Sequence, residues 1–184
     1  MQSDALLTTA RGSKLTHLFS PDDIPPQPTG DSTDAEILAV LRDAKVLARR
    51  YYRLTGKPLG ITGEVAEYEA STILGLDLHR ARQAGYDATE FRDGRPVHIQ
   101  IKGRCVKNPA KLVGRLGSLD LAQPFDVVLL VLLDSDFNAF AMYEASREAV
   151  VTALTKPGSK ARNERGALAI RQFMAISSLR WMRD

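Results

Sequence analysis

Hydrophobic positions recur at helical spacing over the first well-patterned stretch of the chain, where Ile37, Leu38, Leu41, Val46, Leu47, Tyr51 and Leu54 form a stripe. Thr33 and Glu36 make the T-x-x-E capping box that satisfies the exposed amides of a helix start, and Gly56 and Pro58 stop the pattern, so a helix is expected over 34–54. A second helix is expected from about Gly63 to Leu74. Val65, Tyr68 and Thr72 share one side of it, and Glu64, Glu67 and Ser71 share another at spacings of three and four. Gly75 ends it, and the period changes to two. Leu76–Gln83 alternates as a strand that sets Arg80 and Arg82 on a common face. A hairpin follows from Gly85 to Gly103. The apolar run Phe125–Leu133 does not alternate and reads as a strand buried on both sides. Phe137–Tyr143 is a further strand after the Asp134–Asn138 turn. Glu144–Leu154 and Gly166–Ile176 are expected as helices separated by Pro157-Gly158, with Trp181 as a packing anchor for the last one. Residues 1–32 carry Pro21, Pro25, Pro26 and Pro28 and no sustained period, and read as a flexible N-terminal arm. The rest, 33–184, is expected to be a single domain: the N-terminal helix, a core over about 60–145, and C-terminal helices over 144–180. Strands grouped centrally between helices predict an α/β or α+β sandwich with a central mixed sheet flanked by helices.

The hairpin carries the chemistry. Asp93-Gly94 is the pair that a type I′ turn demands, because both central residues need positive φ. With those two as the loop, Arg92 pairs with Arg95, Glu90 with Val97, Ala88 with Ile99, and Asp87 with Gln100. The last is a non-hydrogen-bonded pair, in which Cβ atoms lie about 4.5–5.5 Å apart. Val97, Ile99 and Ile101 then share an apolar face with Ala88 and Tyr86. His98, Gln100 and Lys102 share the other with Asp87 and Thr89, and Lys102 lies opposite Gly85, which leaves room around the amine. One sheet face therefore gathers a carboxylate, an amide oxygen and an ammonium. An isolated Q-x-K is common on solvent-facing hairpins. Here the register, the preceding carboxylate-bearing helix and the flanking arginines set it apart.

Composition narrows the class. The chain has 184 residues, 44% hydrophobic and 26% charged, and suffices for one ordinary core. No apolar run reaches membrane-spanning length, and no basic-then-apolar start suggests export. The lone Cys105 excludes an internal disulfide or a cysteine-rich zinc site, so a cytoplasmic setting is expected. Net charge is +3. Arg80, Arg82, Lys102, Arg104, Lys107, Lys111 and Arg115 fall in one central stretch, and Lys156, Lys160, Arg162 and Arg165 in another. These are either polyanion-binding surfaces or ordinary solvated faces.

Gly63-Glu64-Val65-Ala66-Glu67, Gly85-Tyr86-Asp87 and Ile99-Gln100-Ile101-Lys102 stand in an order that resembles the PD-(D/E)XK nuclease superfamily, the restriction-endonuclease-like fold. That family has a G-x-x-x-E helix, an Asp strand and a (D/E/Q)-x-K strand in an α-β-β-β-α-β core. The likeness covers about residues 60–133 and is nearest to the E…D…QxK variant, similar to VRR-NUC nucleases and Holliday-junction resolvases. It implies a metal-dependent endonuclease acting on nucleic acid, with DNA the expected substrate and Mg²⁺ or Mn²⁺ as cofactor. Asp87 would be the bridging ligand, Gln100 Oε1 and the Ile101 carbonyl further ligands, and Glu67 a ligand directly or through water, with Glu64 as runner-up. Lys102 would orient or deprotonate the attacking water. Arg80, Arg82, Arg104 and Lys107 are candidate phosphate contacts, and a homodimer is compatible with cutting two strands. Gln100, standing where many members have Asp or Glu, removes one negative charge. It keeps open an alternative, a non-catalytic nucleic-acid-binding or assembly module on a degenerate nuclease fold.

Overall fold

The computed structural model describes residues 34–79, 85–108 and 110–184. The capping-box Thr33, the N-terminal arm, and Arg80 and Arg82 with the rest of 80–84 lie outside them. Asp34–Asp184 cluster as one compact unit. Helices α1 (Asp34–Thr55) and α2 (Thr62–Leu74) lead into strands β1 (Asp77–Leu78), β2 (Ala88–Arg92), β3 (Arg95–Cys105), β4 (Val127–Leu133) and β5 (Ala139–Ser146). Helix α3 (Arg147–Thr155), the short α4 (Lys160–Asn163) and α5 (Ile170–Met174), and strand β6 (Ser178–Met182) complete the chain. The result is an α+β fold with one six-stranded sheet in the order β1-β2-β3-β4-β5-β6. Every neighbouring pair is antiparallel except β3 and β4, which run parallel and make the sheet mixed.

β4 explains the sheet's two cores. Its side chains alternate between faces, and both faces are covered, so Val128 to Leu133 are all buried. Leu129, Val131 and Leu133 join Ile99 and Ile101 of β3 against Ala48 of α1 and Val65, Ala66 and Ala70 of α2. Val128, Leu130 and Leu132 join Leu116, Leu119, Val150, Leu154, Leu168 and Phe173 on the opposite side. Gly103 lets α2 approach β3: a Cβ there would stand 2.5 Å from Ala66 Cβ and 2.6 Å from the Thr62 carbonyl. Glu69, buried on the same helix, accepts from Lys45 Nζ at 2.6 Å and from the Ala139 N–H at 2.7 Å, joining α1, α2 and β5. At one end of the sheet the Arg92 guanidinium forks onto Glu144, with bonds of 2.7 and 2.6 Å, and also meets Glu90, which pairs with Arg180. The Glu144 hydrogen bonds raise the Arg92 pKa above its ordinary value.

Three expectations change. The strand read over 76–83 is, within the described residues, a two-residue strand at Asp77 and Leu78, followed by one bond from the His79 N–H to the Asp87 carbonyl at 2.9 Å. The described part of 106–126, which joins β3 to β4, contains no helix, so the second helix of an α-β-β-β-α-β order does not stand there. The helix expected over 166–176 shrinks to α5. The reason is competition for backbone groups. Leu116 N–H donates to the Leu168 carbonyl at 2.8 Å and Leu119 N–H to the Gly166 carbonyl at 3.0 Å, and Ala169 bridges to Arg115, which keeps 166–169 out of the helix. Trp181 accordingly stands on a strand, β6, opposite Met142, and packs on the α1–α2 side of the sheet. No helix among the described residues is long and apolar enough to cross a membrane.

Gly103→Ala is expected to lower stability by about 1–3 kcal/mol, because its Cβ meets backbone and a core methyl that cannot withdraw cheaply. Urea unfolding measures it, and an unchanged midpoint would show that α2 does not depend on this close approach.

Candidate active site

The turn that builds the site is type I′: Asp93 has φ 51° and Gly94 φ 75°. The register follows, with Arg92 opposite Arg95, Glu90 opposite Val97 and Ala88 opposite Ile99. Pro96 falls opposite Phe91, a position from which no ladder N–H is required. The ladder ends at Ala88. Asp87, expected as a regular partner of Gln100, instead sends its N–H to the Ile99 carbonyl at 2.8 Å. Its side chain still reaches the intended place. Asp87 Oδ2 accepts from Gln100 Nε2 at 2.5 Å and from the Ile101 N–H at 2.6 Å. In an extended strand the N–H and C=O of one residue leave by the same edge, so the Ile101 carbonyl also faces the Asp87 side.

The break in alternation moves Tyr86 as well. Expected on the apolar face, its ring stacks on His98 with centroids 4.2 Å apart, and His79 meets it edge-on at 5.1 Å. Gly85 does not leave open space beside Lys102 either. A Cβ there would meet Pro124 Cδ at 2.5 Å, so Pro124 fills that position.

The orientation of Gln100 differs from a ligand's. A carboxylate only accepts, so the amide presents N–H to Asp87, and a cation on both would need the amide turned to present Oε1. The remaining site residues converge electrostatically. Burial, then the Asp87 charge, then that of Glu64 push the Glu67 carboxyl up to about 7, partly offset by Lys102. Burial pulls the Lys102 amine below its ordinary value; Asp87 and Glu67 oppose this and Arg104 adds to it. Glu67 thus sits within electrostatic reach of both Asp87 and Lys102, and Glu64 contributes from one turn earlier on an exposed face. Two half-buried carboxylates that repel one another, the Ile101 carbonyl and, with its amide turned, Gln100 Oε1 would make an oxygen-rich set of the kind a hard divalent cation takes, and the cation would relieve that repulsion. Among the described residues no group of three or more His, Cys, Asp and Glu side chains is disposed to hold a metal, so the amide and the carbonyl are needed to complete it.

The basic candidates divide. Arg104 Nε donates to the Arg115 carbonyl and Nη1 to the Gly103 carbonyl at 2.7 Å, so this guanidinium braces the loop that follows β3. Burial lowers its pKa. Gly117 of that loop lies over Arg104 and Lys102, with room for a Cβ at 3.5 Å from Arg104 Nη2. Lys107 is exposed. The half-buried Cys105 thiol donates to the Asp134 carbonyl at 3.2 Å and has its pKa raised by burial, which argues against a nucleophile. Asp126 and Asp134 flank β4, and Asp120 caps a turn by accepting the Ala122 N–H at 3.0 Å. Asp126 adds one contact the sequence hid, accepting the His98 N–H at 2.8 Å and lying 3.3 Å from His98 Nδ1. Glu69 was also missed as a structural anion, since nothing local separates it from Glu67. A cavity of about 710 Å³ between α3 and α5, lined by Lys156, Arg162 and Gln172, shares no lining residue with the Asp87 site. Comparison of the chain with protein-family models and with curated proteins found no match in either.

The Glu67 shift sets a pH signature. Below about pH 4.5 the carboxyl is protonated both folded and unfolded. Between that value and about 7 the unfolded chain loses its proton first, so stability falls as pH rises through this window. Glu67→Gln is expected to be neutral at acid pH and stabilising by about 1–3 kcal/mol at pH 8, after discounting for partial exposure. Mg²⁺ or Mn²⁺ should raise the melting temperature of the wild type at pH 8 more than that of the variant. Equal responses would remove Glu67 from the cation's surroundings.

Proposed function

We propose that this protein is a Mg²⁺- or Mn²⁺-dependent phosphodiester hydrolase, an endonuclease with a restriction-endonuclease-like site, acting on nucleic acid, with DNA as the expected substrate. One observation carries the reading: the Asp87 carboxylate lies against Gln100 and the Ile101 main chain, with Lys102 two residues on along the same strand and Glu67 coupled to both charges. Asp87, Glu67, Gln100 Oε1 and the Ile101 carbonyl would hold the cation. The bound cation would supply Lewis-acid polarisation of the phosphate and lower the pKa of its water. Lys102 does the rest. Burial lowers its pKa, which favours the neutral amine, the form able to take a proton from water. In its protonated form the same amine offsets charge that gathers on the phosphate oxygens. Lys107 and the other exposed basic residues of the loop after β3 would meet neighbouring phosphates, with Arg104 acting through the loop it braces. A cytoplasmic setting, where the lone Cys105 stays reduced, belongs to the same proposal.

The Gln100 amide bond to Asp87 favours a second reading. It satisfies the carboxylate from within the chain, as a non-catalytic nucleic-acid-binding module on the same fold would require.

Incubation of the full chain with labelled DNA and RNA, with Mn²⁺, Mg²⁺ or EDTA, separates the two. Lys102→Ala is expected to keep the circular-dichroism spectrum and to lose about 10²- to 10⁴-fold in cleavage rate. Asp87→Asn should lose both cleavage and Mn²⁺ binding by calorimetry. Salt-sensitive DNA binding with no cleavage in any metal would select the module, and a fully active Lys102→Ala would end the proposed role of the amine.

A further inference from the structure

Helix α1 carries two apolar faces, and the described residues of its own chain pack against one of them. Ala48 is fully buried, Tyr52 packs on the core and Lys45 reaches Glu69, all toward α2 and the sheet. About 100° around the helix, Ile37, Val40, Ala44, Leu47, Tyr51 and Leu54 follow in steps of three, four, three, four and three, a heptad seam. Val40, Leu47, Tyr51 and Leu54 are 67%, 59%, 39% and 78% exposed. Scattered exposed apolar side chains are ordinary, but a continuous seam along a helix of 22 residues is not.

Charge beside the seam chooses the occupant. On its solvent flank Glu36 and Asp43 lie in the first half of the helix and Arg50 in the second. In an antiparallel pair of α1 helices, Asp43 of each copy faces Arg50 of the other. In a parallel pair Asp43 would face Ala48, which the core already covers, and no ion pair forms. The side-chain sizes agree. Antiparallel layers nest Ala44 against Leu47, Val40 against Tyr51 and Ile37 against Leu54, about an axis between residues 45 and 46. We propose that α1 pairs antiparallel with α1 of a second copy of this chain, forming a two-fold dimer. The seam is distinct from the Asp87 site, so the dimer stands or falls independently of the nuclease reading.

Sedimentation of the full chain at tens of micromolar tests it. The wild type is expected as a dimer. Leu47→Glu, exposed in the single chain and so compatible with folding, should raise the dissociation constant at least about a hundredfold. Asp43→Arg should weaken association about tenfold or more by placing arginines against one another, and Asp43→Arg combined with Arg50→Asp should restore it. The rescue is specific to antiparallel pairing. A monomeric wild type, a dimer indifferent to Leu47→Glu, or a double variant as weak as Asp43→Arg alone would each overturn the proposal.

Discussion

A carboxylate that captures a main-chain N–H at a sheet edge does two things at once, and Asp87 does both. It ends the β2–β3 ladder, because the Ile101 N–H goes to a side chain where a continuing β2 would have offered a carbonyl. It also fixes a negative charge against the strand that bears Gln100 and Lys102. Everything proposed for the site depends on that anchoring. A charge-assisted bond to a main-chain N–H holds an oxygen more firmly than a surface ion pair can, since the backbone has no rotamers to lose.

Two glutamates on α2, one of them two residues after the other, show how environment divides a helix between structure and chemistry. Glu69 has a Lys45 ammonium and a main-chain N–H, so its burial is compensated and it ties three elements together. Glu67 feels the charges of Asp87 and Glu64, and burial and like charge push its carboxyl up to about 7. A carboxyl kept under that tension is ill-suited to fold stability and well-suited to receiving a cation. Gly103 makes the arrangement possible, because α2 can carry Glu67 to the site only where β3 presents no side chain. The same helix–strand contact buries Val65, Ala66 and Ala70 against Ile99 and Ile101.

What the sequence alone determined is what local chemistry dictates. Asp-Gly between alternating residues specified the turn, and counting outward from it gave the pairing as far as Ala88 with Ile99. Glycine after Leu74 ended α2 in the left-handed conformation expected of a helix stop. The unbroken apolar run of β4 announced a strand covered on both faces. Tertiary structure decided the rest, wherever a backbone group had two possible partners or a charge two possible neighbours. Residues 166–169 have a helical composition but pair with the loop at 115–119, and the end of the chain becomes β6 because β5 offers it an open edge. Asp87 leaves the regular register for a main-chain N–H, carrying Tyr86 onto His98. The division between Glu67 and Glu69 comes from partners far along the chain. Periodicity records which side of an element is apolar; it does not record which of several acceptors a given N–H will find, or which charges folding will bring together.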